Sequence, residues 1–282
     1  MQAIQIREFL QTSPGTSPVF TTLKPSTVPK PSPANHEILI RITHASPQHV
    51  DLLYAQGKHQ NNNAKHGHVR PPFILGSEFA GVVESVPSNG KDSCGRTLQV
   101  GDRVMGSAQG AFAEYLCTRP NLVTRVPAGL DNAGAATLSG GPVSYAAIKD
   151  AANVQAGEIV LVTGANGGLG SIACQVAIAS GAQVVALVST KHKADQLRAQ
   201  LGLEHVVALE QGDWVSAVKS AFGKGVDVVI DNTGCVKDAL RCIRFGGRIV
   251  LVGFAGRGGV MEEVGMNRIL LKGATVIGYV SR

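Results

Sequence analysis

The sequence predicts an α/β protein of two domains, a mainly-β first half followed by a six-stranded, doubly wound parallel sheet. Three observations predict it. The chain has 282 residues, and a single hydrophobic core stops growing at roughly 250 to 300. From Glu158 onward six apolar runs, EIVLVTG, AQVVALVS, EHVVAL, VDVVIDN, GRIVLVGF and ATVIGYV, begin at Glu158, Ala182, Glu204, Val226, Gly247 and Ala274. That spacing fits a strand plus its crossover, and near-continuous β-branched runs mark strands covered on both faces. The apolar segments before Glu158 alternate or are broken by Gly, Pro and Asp, as in a compact, mainly-β domain.

In chain order, MQAIQIREFL lacks the apolar core of a signal peptide, and no apolar stretch approaches the roughly 20 residues that span a bilayer. An intracellular, cytoplasmic protein is expected. The Pro-rich segment 24–36 reads as a bent surface connection. EILIRIT, SEFAGVVESV, RTLQVGDRVMG and AFAEYLC supply the strands of the first domain, which is expected to end near Arg125, giving domains of 1–125 and 126–282. Past that boundary Asp131 is placed to cap a helix, and a second helix runs through Tyr145 and Ile148.

Composition excludes other classes. Hydrophobic residues make up 44% and charged residues 16% of the chain, enough for a sizeable core. The net charge of +6 is scattered rather than clustered, so no nucleic-acid surface is expected. Cys94, Cys117, Cys174, Cys235 and Cys242 are odd in number and form no C-x-x-C pair, which fits reduced, mostly buried thiols.

The strongest motif is TGANGGLGS. It carries Gly164, Asn166, Gly167, Gly168, Leu169 and Gly170 between the first parallel strand and IACQVAIAS. Glycines there let the backbone turn sharply and let a pyrophosphate reach the N–H groups opening the helix. The strand-turn-helix context marks a dinucleotide site. At the end of the next strand, an acid would bind the ribose 2′-hydroxyl of NADH. Ser189, Thr190, Lys191, His192 and Lys193 stand there instead, and a hydroxyl with nearby ammonium groups favours a 2′-phosphate, hence NADPH. The alternative is that the lysines only open an exposed helix. Asn232 to Gly234 and Gly253 to Ala255, Phe254 among them, fall at strand ends and are expected to line the nicotinamide side.

These residues, with PPFILGSEFAGVV from Pro71, VGDRVMG from Val100 and GGRIVLVGF from Gly246, resemble the medium-chain dehydrogenase/reductase superfamily. The zinc-independent quinone oxidoreductase branch, zeta-crystallin-like, is the nearest in pattern. The resemblance covers nearly the whole chain. It implies a GroES-like mainly-β domain followed by a six-stranded Rossmann sheet, an active site in the cleft between them, and reduction of quinones or α,β-unsaturated carbonyls by NADPH. It also implies a chain that is short at its C-terminus, without the segment that in relatives returns to the first domain. A homodimer through the last Rossmann strand is expected on the same basis.

Zinc-dependent relatives place a His just before the Glu of the segment matching GSEFAG and a Cys early in the chain. Here Ser77 stands in the place of the His, and 45–59 contains no Cys, so no metal ligands are expected. The histidine-rich stretch GKHQNNNAKHGH then reads as a polar loop in which His66 and His68 are solvated. Related quinone reductases carry N-x-x-D followed by G-x-Y near the substrate. The equivalents implied here are Gln48, Asp51 and His59, with His59 as a proton donor and Gln48 as an amide donor. Two other readings stay open: an enoyl-thioester reductase acting with a polyketide or fatty-acid synthase, and a non-catalytic NADPH-binding protein. A tailoring role in secondary metabolism belongs to the reading as a quinone or enone reductase.

Overall fold

The computed structural model describes residues 1–10, 23–62, 68–256 and 262–280. The chain divides into two compact units, Met1–Gly140 and Gly141–Arg282.

In the first unit a five-stranded antiparallel sheet is built from β1 (Ile38–Ser46), β2 (Glu78–Ser85), β3 (Arg103–Ser107), β4 (Tyr115–Thr118) and β5 (Val123–Arg125), in the order β4-β1-β2-β3-β5. Alternation drives it: Ile38, Ile40, Phe79, Val83, Val104, Leu116 and Val123 are buried in one cluster. Of the RTLQVGDRVMG segment, only its second half forms a strand, because Gly101 has a φ of +93° and turns the chain into β3. Two short ribbons, Gln2–Ala3 with Ser26–Thr27 and Gln5–Ile6 with Phe73–Ile74, flank the sheet. The helix α1 (His49–Ala55) follows β1 and buries Asp51, Tyr54 and Ala55.

Asp131 caps α2 (Asn132–Leu138), its carboxylate accepting from the Gly134 N–H at 2.7 Å. Residues 126–140 belong to the first unit, so the division falls at Gly140 rather than near Arg125. Ala135 and Ala136 bury themselves against Ala80 of β2, with Met105, Val126 and Leu130 around them. Small side chains let that helix lie close to the sheet.

The second unit starts with α3 (Gly141–Ala146), which continues as a π-helical turn over Ala147–Ala151. Its sheet has β6 (Ile159–Thr163), β7 (Gln183–Val188), β8 (His205–Ala208), β9 (Val226–Asp231), β10 (Ile243–Leu251) and β11 (Thr275–Gly278). All pair in parallel in the order β8-β7-β6-β9-β10-β11. The six runs read from the sequence are these six strands. Val160 and Val162 join one apolar cluster with Ala173, Cys174, Ala177, Ala194 and Leu197. Leu161 joins the opposite one with Trp214, Val215, Val218, Ala239 and Leu240. The sheet is therefore covered on both faces, by α4 (Gly168–Ala179) and α5 (Lys191–Leu201) on one and by α6 (Trp214–Ala221) and α7 (Val236–Cys242) on the other. A last helix, α8 (Met266–Lys272), buries none of its residues fully. No helix among the described residues is long and apolar enough to cross a membrane.

None of the five cysteines is in a disulfide, but only Cys174 and Cys242 are fully buried. The expectation of mostly buried thiols fails at Cys94, which sits exposed in the turn before β3.

Candidate functional site

The strand order reverses between β6 and β9, and at such a switch point the two crossovers leave in opposite directions and open a crevice at the strand ends. The glycine turn lies there. Gly164 follows β6 with a φ of +60°. Gly167 N–H donates to Gly164 O at 2.9 Å, closing the turn. A Cβ on Gly170 would lie 2.2 Å from Gly164 O and 2.8 Å from the Ala165 Cα, so only glycine lets α4 pack against the strand end. The first intrahelical bond of α4 runs from Ser171 N–H to Gly167 O. The N–H groups of Gly168, Leu169 and Gly170 therefore have no acceptor within the helix. Gly167 and Gly168 are exposed and Asn166 half-buried, and the helix dipole adds positive character. The arrangement suits a pyrophosphate.

β9 ends at Asp231, which is fully buried. Its carboxylate accepts from Thr163 Oγ1 at 2.9 Å and from the N–H groups of Thr233, Gly234 and Cys235 at 3.0, 3.0 and 2.7 Å. This residue, not singled out in the sequence, fixes the loop that follows β9. Asn232 donates its amide Nδ2 to Thr163 O at 2.9 Å, while its Oδ1 is buried without a hydrogen-bond partner. An unpaired buried acceptor beside the glycine turn fits a ligand that brings a donor. Gly253 lies against it, a Cβ there falling 3.1 Å from Asn232 O. Phe254 is 45% exposed. The strand ends thus collect Gly164, Asn232 and Gly253.

At the end of β7, Thr190 caps α5 by accepting from Lys193 N–H, and Lys193 Nζ donates to Ser189 Oγ at 3.0 Å. The structure also brings an acid there. Glu210, in the turn Leu209–Gln211 after β8, reaches back to accept from Lys191 N–H at 2.5 Å. No carboxylate stands at the end of β7 itself; the one beside the start of α5 comes from the turn after β8.

In the first unit, Gln48, Asp51 and His59 lie on or beside α1. Asp51 is the third residue of that helix, and its Oδ2 accepts from Gln48 N–H at 2.7 Å while Ser77 Oγ donates to Oδ1 at 3.4 Å. Gln48 Nε2 donates to Glu78 Oε2 at 2.6 Å and to Ser46 Oγ at 3.0 Å. Both amide hydrogens of Gln48 are thereby directed at protein acceptors. Glu78, the carboxylate of the GSEFAG segment, accepts one of them. A Cβ on Gly140 would lie 2.4 Å from Glu78 Oε1, so glycine at that position leaves room for the carboxyl. Burial pushes Asp51 up from 3.8 to about 6, against hydrogen bonds from Gln48 and Ser77. Burial, then the Asp51 charge, pushes Glu78 from 4.5 to about 7. No Lys, Arg or His is within salt-bridge distance of either carboxyl among the described residues.

His59 stacks on the Tyr54 ring at 4.2 Å between centroids. Its Nδ1 accepts from Asn61 N–H at 3.1 Å, which leaves the proton of the neutral ring on Nε2. Burial lowers the His59 pKa, so the ring is a neutral hydrogen-bond donor rather than a cation. Asn61 Nδ2 donates to Tyr54 Oη at 2.8 Å, closing a small cluster. His68 is exposed, and His66 lies outside the described residues. Among the described residues no three His, Cys, Asp or Glu side chains converge as metal ligands would.

Two family models match the chain: the alcohol dehydrogenase GroES-like domain over residues 34–128 and the zinc-binding dehydrogenase over 168–282. Human quinone oxidoreductase is 30% identical over 260 residues, spanning 90% of this chain and 74% of that protein. A mycocerosic acid synthase-like polyketide synthase of Mycobacterium tuberculosis is 33% identical over 226 residues, 78% of this chain but 10% of that protein. The structure of Escherichia coli quinone oxidoreductase complexed with NADPH superposes with a TM-score of 0.84 at 25% identity, covering 99% of this chain and 81% of that one. The fold, the glycine turn at the switch point and these matches agree: the chain belongs to the medium-chain dehydrogenase/reductase superfamily, in its zinc-independent, quinone-oxidoreductase-like branch.

Proposed function

We propose that this protein is an oxidoreductase that binds NADPH in its second unit and reduces a quinone or an α,β-unsaturated carbonyl. The observation that carries the reading is the turn at 164–170, where a glycine without a side chain and an open helix N-terminus meet at the switch point. The unpaired Asn232 Oδ1 adds an acceptor on the same edge. Ser189 and Lys193 support the 2′-phosphorylated coenzyme.

When bound, NADPH supplies the hydride. The residues of this chain hold and orient. The N–H groups of Gly168, Leu169 and Gly170 receive the pyrophosphate, and Asn232, Gly253 and Phe254 line the nicotinamide side. In the first unit, His59 offers Nε2–H to the oxygen on which negative charge develops as the carbonyl is reduced. Asp51 and Gln48 hold the start of α1, the helix that carries Tyr54 beneath the His59 ring.

Similarity to a polyketide synthase favours a second substrate class, enoyl thioesters. A homodimer is part of the proposal. Its supports are the edge strand β11 and the exposed Met266, Leu270 and Leu271 of α8. The test measures NADPH binding and NADPH consumption with quinones, enones and enoyl thioesters in parallel. Turnover of one class identifies the substrate. Tight binding with no turnover of any class sinks the catalytic reading and leaves a coenzyme-binding protein.

A further inference from the structure

The corner formed by β7, β8 and the start of α5 carries charges of both signs. On one side Lys193 Nζ donates to Ser189 Oγ at 3.0 Å, and both side chains are exposed. On the other, Glu210 Oε1 accepts from Lys191 N–H, the first N–H of α5. The backbone joins the two sides, since Glu210 N–H donates to Ser189 O at 3.3 Å. An open helix N-terminus favours an anion. Here the protein supplies that anion itself, and Thr190 Oγ1 takes Lys193 N–H at the same end.

In an open parallel sheet whose first strand ends in the glycine turn, the adenosine ribose of a bound dinucleotide meets the end of the second strand. That strand is β7. A 2′-phosphate placed there brings about −1.5 to −2 charge, next to a carboxylate that already holds the α5 N–H. A free 2′-hydroxyl brings a donor that the same carboxylate can accept. Building on the dinucleotide reading above, we infer that Glu210 is a specificity-determining residue, whose carboxylate opposes the 2′-phosphate that Ser189 and Lys193 attract and so admits NADH alongside NADPH.

The test titrates NADPH and NADH against the full chain, wild type, Glu210→Gln, Glu210→Asp and Lys193→Ala. Gln keeps an oxygen for Lys191 N–H, so the start of α5 stays held while the charge is gone. The expected result is a rise of about tenfold in the NADPH-to-NADH affinity ratio for Glu210→Gln, from loss of one like-charge contact. Lys193→Ala is expected to lower the ratio, and Glu210→Asp, which keeps the charge, to leave it within about twofold. A helix cap alone would change melting temperature and both affinities together, without moving the ratio. An unchanged ratio in Glu210→Gln, beside a shifted one in Lys193→Ala, overturns the inference and leaves the dinucleotide reading intact. Failure of the folded wild-type protein to bind either coenzyme overturns both.

Discussion

Asp51 and Glu78 make the first unit of this protein sensitive to pH, and Glu78→Gln isolates the effect. Both carboxyls are raised by burial, to about 6 and about 7, and Glu78 is raised further by the charge of Asp51. As pH rises from about 4, the unfolded chain gives up these protons first while the folded chain keeps them. Stability therefore falls through the interval between the ordinary carboxylate values and about 7, and is flat above it. One unit corresponds to about 1.4 kcal/mol, so shifts of about two units set a ceiling near 3 kcal/mol for each group. Mutual repulsion is shared between the two, and Glu78 is only half-buried, so the pair together costs about 2 to 4 kcal/mol at pH 8. Glu78→Gln retains an oxygen for Gln48 Nε2 and removes both the Glu78 charge and its repulsion of Asp51. It is expected to stabilise the protein by about 1 to 2 kcal/mol at pH 8 and to have no effect near pH 4. Urea unfolding of wild type and variant at the two pH values reads the difference directly. A variant that loses stability with pH as steeply as the wild type would refute the reasoning.

Three further outcomes follow from the geometry. Gly170→Ala places a Cβ 2.2 Å from Gly164 O, so α4 must move off the strand end; the expected cost is about 1 to 3 kcal/mol in urea unfolding, together with a marked loss of NADPH affinity by titration. Asp231→Asn turns a donor toward the N–H groups of Thr233, Gly234 and Cys235 that now point at a carboxylate; a loss of about 2 to 4 kcal/mol is expected, and a variant as stable as wild type would remove Asp231 from its role. His59→Phe keeps a ring on Tyr54 but deletes the Nε2–H; steady-state assays with an accepted substrate should show turnover reduced by about tenfold or more, with NADPH affinity unchanged.

Most of the second unit was legible in the sequence because its signals are local. A parallel sheet covered on both faces needs continuous apolar strands, and each of the six runs is a strand of the sheet. The glycine turn was legible for the same reason: the requirement at Gly164 and Gly170 arises from backbone atoms within a few residues of each other. In the first unit the main strands were visible, but the length of the RTLQVGDRVMG strand was not, since Gly101 interrupts an otherwise strand-like alternation. Where that unit ends was also hidden, because α2 belongs to it through contacts with Ala80, a residue distant in sequence.

The candidate site divides in the same way. Composition and spacing alone determined the succession of the six parallel strands, the position of the glycine turn, and the hydroxyl and lysines that follow β7. Only the tertiary structure decided which acids face them. Glu210 lies 19 residues from Lys191 in the chain and meets its N–H because neighbouring parallel strands end side by side. Glu78 lies 30 residues from Gln48 and meets its amide because β1 and β2 pair antiparallel. A carboxylate acts through its distance to other charges, and that distance is set by strand pairing between segments far apart in the chain, which no local pattern of residues encodes.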